Sequence, residues 1–306
     1  MEQKKKPYER AAEKLIAQLE AGTVPWRKPW KSVGLPRNLV SQKLYRGMNT
    51  FILLLEDRPS PYWLTYRQAI QLGGHVMQGE KGTAICKYSV YDRKTKNEET
   101  GEEGSCRSGY LKVYTVFNLV QCNPELAEGL GLSLKPTEKL EDLPAAQAIW
   151  DNYPNRPHFH EANAAFYRPS EDLIGMPARS AFKEQREYYN TLFHEMIHST
   201  GAVKRLGRDA ITDPIKFGSH KYAEEELVAE FGASMLSAMC GMQPEVIENS
   251  AAYVKHWLDV LKASDNKKML QHAITQAQKA CDHIGVSAVE EGKPEEQAEQ
   301  LEAVAA

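Results

Sequence analysis

His194-Glu195-Met196-Ile197-His198 narrows what this chain can fold into more than any other stretch of it. It lies in a segment, 182–200, where Phe182, Tyr189, Phe193, Met196, Ile197 and Thr200 recur at helical spacing. Gly201 follows, a suitable residue just past a helix end. Two imidazoles four residues apart fall on one helix face, where both can reach a single zinc ion. Glu195 sits on the adjacent edge, where its carboxylate can take a proton from water beside that ion. The pattern predicts a zinc hydrolase site of the metallopeptidase type, with His194 and His198 as ligands and Glu195 as general base.

A catalytic zinc takes three protein ligands and keeps one position open. With no further histidine at a suitable spacing after His198, a carboxylate downstream is the natural third ligand. The predicted helix 222–239 opens Tyr222-Ala223-Glu224-Glu225-Glu226-Leu227-Val228-Ala229-Glu230. Glu226 and Glu230 share a face with Ala233 and Ser237, which are small enough to let this helix approach the first. The reading is Glu226 as ligand and Glu230 bonded to a ligand imidazole, with Glu225 as the alternative ligand. One Zn2+ per chain follows. His158, His160 and His220 read as surface or loop histidines, His220 also as an auxiliary proton donor. Segments 164–168 and 173–176 flank Pro169-Ser170-Glu171-Asp172, a predicted hairpin whose edge can hold an extended substrate.

The rest of the chain is organised around a charge asymmetry. Residues 1–125 hold 20 Lys and Arg against 13 Asp and Glu, a balance of +7, whereas the remainder carries −10. A polyanion would therefore contact the first half. Periodicity predicts helices at 8–19, 49–55 and 65–72 and strands at 83–90 and 110–117, with the polar stretch 92–108 as a long loop. Residues 126–144 read as a linker, 145–285 as the metal-binding domain with helices also at 251–263 and 267–284, and 286–306 as an acidic disordered tail. The expected fold class is α+β in two domains, the second with its HExxH helix beside a small antiparallel sheet. Cys86, Cys106, Cys122, Cys240 and Cys281 form neither a CxxC clip nor a disulfide framework and read as reduced thiols. No apolar run approaches the roughly 20 residues that cross a bilayer, so no membrane partner is expected.

Within the basic half, Trp26, Trp30, Tyr45, Trp63 and Tyr66 interleave with Arg27, Lys28, Lys31, Arg37 and Arg46. Aromatics that stack on bases, set among cations that follow phosphates, are the composition of a single-stranded DNA groove. Gly22–Trp30, Pro36-Arg37-Asn38, Tyr45–Asn49, Trp63–Tyr66, Gly79–Gly82 and Val116-Phe117-Asn118 resemble the N-terminal domain of ArdC-type antirestriction proteins. Tyr167, His194–Gly201 and Tyr222–Glu230 resemble their zincin-like second domain, with a departure at Ser199, where an aromatic is commoner. The resemblance implies single-stranded DNA as partner, a bacterial cytoplasmic setting and protection of incoming plasmid or phage DNA. An unidentified protein would be the peptidase substrate. The competing reading is a DNA-coating decoy whose metal site is structural.

Overall fold

The computed structural model describes residues 6–25, 34–96, 103–132, 143–213, 219–242, 251–262 and 266–285. Helix α1 (Pro7–Glu20) begins with proline at a position that needs no backbone N–H, and the Glu9 carboxylate accepts the Lys6 N–H. Its Ala11, Ala12, Leu15 and Leu19 are buried along one stripe. Strand β1 (Arg37–Asn38), helix α2 (Met48–Leu54), strand β2 (Tyr62–Leu64), helix α3 (Tyr66–Gln71) and strands β3 (Thr83–Lys96) and β4 (Glu103–Asn118) complete the first region. Thr65 caps α3 by accepting the Gln68 N–H. The sheet runs β1-β2-β4-β3, with β1 and β2 parallel and the other pairs antiparallel.

The expected loop at 92–108 is mostly strand. The β3–β4 ladder continues without a slip from Thr83 opposite Val116 to Lys96 opposite Glu103. Its backbone bonds extend pairing through a stretch whose polar composition signals a loop, because ladder hydrogen bonds do not depend on side-chain type. Ile85, Val116 and Trp63 turn inward under α1 and α2, while Leu64, Ala69, Leu119 and Leu126 form a smaller cluster outside.

Helix α4 (Pro124–Gly129) lies at the start of the expected linker, and 133–142 fall outside the described residues, as does the expected tail. Helix α5 (Leu143–Asp151) leads to strands β5 (His158–Glu161), β6 (Phe166–Arg168) and β7 (Leu173–Met176). The β6–β7 hairpin forms as expected around Pro169–Asp172. The sheet, however, is mixed rather than antiparallel: its order is β5-β7-β6, with β5 parallel to β7. Helix α6 (Gln185–Ser199) carries the metal motif, followed by α7 (Asp209–Thr212), α8 (His220–Met239), α9 (Ala251–Lys262) and α10 (Asn266–His283). Helix α6 starts three residues later than its periodicity suggests, since Phe182 closes a 3-10 turn and Glu187 reaches back to the Glu184 N–H.

Helices α6 and α8 meet at Gly232, where an added Cβ would stand 2.6 Å from Ile197 Cδ1. A single apolar cluster joins the two regions: Leu15 and Leu19 of α1 and Phe51 of α2 pack with Phe193, Phe231, Leu236, Leu270 and Ala277. Phe51 meets Phe231 edge-on, with ring centroids 4.8 Å apart. Polar ties cross the same boundary, from Gly47 N–H to Gln278 at 2.9 Å, from Lys267 to Glu13 at 2.7 Å, and between Arg46 and Asp282. Among the described residues no helix is long and apolar enough to cross a membrane.

Candidate metal centre

Helix α6 presents His194 and His198 one turn apart, and α8 brings Glu226 opposite them. The two Nε2 atoms are 3.1 Å apart, and the Glu226 oxygens lie 3.5 Å from His194 Nε2 and 3.6 Å from His198 Nε2. Imidazole nitrogens about 2.0–2.1 Å from one tetrahedral zinc ion stand roughly 3.4 Å from each other. The three side chains therefore already hold the spacing of a divalent-ion site, and one donor atom from each falls within 4.8 Å of the others. Two nitrogens and a carboxylate oxygen suit zinc and neighbouring transition ions better than calcium or magnesium.

The electrostatics agree with a cation-binding position. Burial disfavours the Glu226 carboxylate, but the His194 hydrogen bond, the two imidazoles and the Tyr222 phenol outweigh it and hold its pKa at about 2. Tyr222, one turn before Glu226 on α8, donates to that carboxylate; burial and the Glu226 and Glu195 charges push its hydroxyl up to about 12. Glu195 is buried beside these groups.

The carboxylate hydrogen-bonded to one of these imidazoles is Glu225 rather than Glu230. Glu225 Oε1 lies 3.2 Å from His198 Nδ1, whereas Glu230 Oε1 is 3.9 Å from His194 Nδ1, beyond hydrogen-bond length. Glu225 is also turned away from the three donor atoms. Both its oxygens accept from buried Arg208, at 2.9 Å from Nε and 2.6 Å from Nη2. Its position one residue before Glu226 rotates it by about 100° around the helix, onto the Nδ1 side of His198. Arg208, in the loop ahead of α7, had no signal in the sequence. Tyr222 did: it stands i−4 to Glu226.

The DNA-binding candidates divide. Trp26, Arg27, Lys28, Trp30 and Lys31 fall outside the described residues. Trp63 is only 1% exposed and Tyr45 8%, so neither ring offers a face to a base; both belong to the apolar core. A strand position between core residues buries Trp63, and Tyr45 sits beneath Asn38, whose amide donates to its hydroxyl. Arg46 is engaged with Asp282, and Arg37 is partly buried on β1. Tyr66, 57% exposed on α3 beside exposed Arg67, remains available to a partner. His158, His160 and His220 are exposed, and none joins the metal group. A separate cavity of about 500 Å³ is walled by Trp150, Phe159, Glu161, Arg179, Tyr188 and Leu192, and contains none of the metal-centre residues.

Comparison with known proteins fits this architecture. Residues 5–117 match the N-terminal domain of anti-restriction factor ArdC, and residues 145–276 match a zincin-like metallopeptidase family. The crystal structure of metal-free antirestriction protein ArdC from plasmid R388 is 38% identical, with a TM-score of 0.70, covering 91% of this chain and 96% of that one. The Mn(II)-bound structure of ArdC from the same plasmid gives 35% and 0.67, covering 93% and 99%. An uncharacterised protein, y4eC, of Sinorhizobium fredii is 31% identical over 90% of each chain. A DNA primase TraC of Escherichia coli is 34% identical over 93% of this chain but only 20% of its own length. A second TraC primase matches over 26% of its length, so the chain spans a fifth to a quarter of these curated relatives. With ArdC-type sequence in its first part, a zincin-like second part and near-complete coverage of a solved relative, the chain belongs to the ArdC family of antirestriction proteins.

Proposed function

We propose that this protein is a metal-dependent peptidase joined to a single-stranded DNA-binding region, acting on proteins that occupy such DNA. The observation that carries the reading is the spacing of His194, His198 and Glu226 beside a buried Glu195. Zinc, one ion per chain, is the ion proposed; a bound ion would supply Lewis-acid polarisation of a carbonyl and of water. Glu195 would take the proton of the attacking water and pass it to the leaving amine. Tyr222 would hold the Glu226 carboxylate in place. The substrate is proposed to be protein rather than DNA because the second half carries a balance of −10, which repels a polyanion from the cleft. The basic balance of the first half, and the exposed Tyr66–Arg67 pair, support DNA binding there. A bacterial cytoplasmic setting and protection of incoming DNA are proposed by family.

Metal content and proteolysis, measured on wild type and Glu195→Gln, test this reading. Wild type should hold about one ion per chain and cleave a protein bound to single-stranded DNA. Glu195→Gln should keep the ion and lose cleavage. If that variant gives full restriction protection, the peptidase is dispensable and the DNA-coating alternative takes its place.

A further inference from the structure

We infer that Arg208 is a positioning residue for the metal centre, acting through Glu225, an inference that rests on His194, His198 and Glu226 being the ligands. The guanidinium is buried and donates to groups on both ligand helices or their ends. On the α8 side it forks onto the two Glu225 oxygens at 2.9 and 2.6 Å. On the α6 side it donates to Ile197 O at 2.8 Å and to Thr200 Oγ1 at 2.7 Å. Glu225 in turn lies 3.2 Å from His198 Nδ1. That bond leaves Nε2 turned toward His194 and Glu226, the side on which an ion would sit. One side chain thus sets two things at once: the tautomer and ring angle of His198, and the distance between the helix that supplies the imidazoles and the helix that supplies the carboxylate. A planar fork is needed for this, since an ammonium cannot bond both oxygens of one carboxylate in a fixed plane while reaching two further acceptors. Gly201 keeps the approach clear, because a Cβ there would stand 3.0 Å from Arg208 Nη2.

A purely structural role is separable, because a second, partly buried pair staples the same end of α6 without touching a ligand. Arg205 donates to Ser199 O at 3.0 Å and forks onto Asp172 at 2.7 and 2.9 Å. Full-length wild type, His194→Ala, Arg208→Met, Arg208→Lys, Glu225→Gln and Asp172→Asn are titrated calorimetrically with Zn2+ and Mn2+, and melted without metal. Arg208→Met and Glu225→Gln are expected to lose about 10–100-fold in metal affinity, and Arg208→Lys to recover little of it. Asp172→Asn should melt earlier yet bind metal like wild type. In the zinc-loaded protein the His198 Nδ1 proton, followed by nitrogen NMR, should be hydrogen-bonded in wild type and lose that signature in Arg208→Met. Wild-type affinity in a folded Arg208→Met would overturn the proposal. So would an equal loss in Asp172→Asn. Should Arg208→Met not fold, Arg208→Lys, which keeps the buried charge but not the fork, decides on the same criterion. If His194→Ala retains metal, the ligand assignment falls and takes the proposal with it. If it loses metal while Arg208→Met does not, only the positioning role falls.

Discussion

His198 shows how much of the behaviour of this protein is set one residue at a time. Burial lowers its proton affinity, but the hydrogen bond to Glu225 and the charges of Glu225, Glu226 and Glu195 outweigh it and raise its pKa from 6.5 to about 9 in the metal-free protein. A group raised on folding contributes stability fully below its unfolded pKa, and that contribution fades as pH rises through the folded one. Metal-free protein should therefore lose stability from this group between about pH 6.5 and 9, while metal binding, which must displace the same proton, strengthens over that interval. Melts of the chelated protein across a pH series, with proton release measured on metal addition, check both halves; a midpoint climbing over that window would contradict the first. Two aromatic residues give the complementary lesson. Trp63→Ala should cost about 3–5 kcal/mol of stability, as a large core truncation does. Tyr66→Ala should leave the melt unchanged and cost about 1–3 kcal/mol of single-stranded DNA affinity if its ring stacks on a base. Composition alone marked both as binding aromatics, because strand position, not residue type, decides which of them is enclosed. The same limit hid Arg208. The sequence reveals that a carboxylate cluster accompanies the histidines, but which glutamate faces their Nε2 atoms and which faces an arginine 17 residues away depends on helix rotation.

At the level of elements, the spacing of His194, His198 and Glu226 depends on how closely α6 and α8 approach. Gly232 sits where Ile197 Cδ1 and Cγ1 would each lie 2.6 Å from a new Cβ. Gly232→Ala should therefore push the helices apart at a cost of about 1–3 kcal/mol, and metal affinity should fall with it, because the His198 Nε2 to Glu226 distance of 3.6 Å spans the same gap. Ile197→Ala removes the obstructing methyls, so the double variant should recover part of both losses. Calorimetry and melts on the cycle test this, and simple additivity of the two changes would show that the contact does not set the spacing. The helices were legible because their apolar stripes repeat over several turns, and their ends came within a few residues of the 3.6-residue pattern. The β3–β4 extension and the parallel β5 were not, since ladder bonding and strand direction arise from pairing between segments and leave little trace in either one.

For the whole molecule, the decisive fact is that the basic first part and the metal-binding second part share a core. Leu15, Phe51, Phe231 and Leu270 belong to one cluster. Unfolding should accordingly be a single cooperative transition, and a bound ion should raise all of it, by about 2.7 kcal/mol at 100 times its dissociation constant. Circular dichroism melts with and without metal decide the point: two resolved transitions, of which the ion moves one, would refute it. The shared core also bears on how such a gene can travel. A recombination breakpoint at 126–144 would give each daughter protein half an interior, baring Leu15 and Phe51 on one product and Phe231 and Leu270 on the other. Lineages that cut there would inherit two insoluble pieces. Genes should then exchange this unit intact, as a passenger carried whole, and the TraC primases, which match 93% and 86% of this chain, carry both of its parts together.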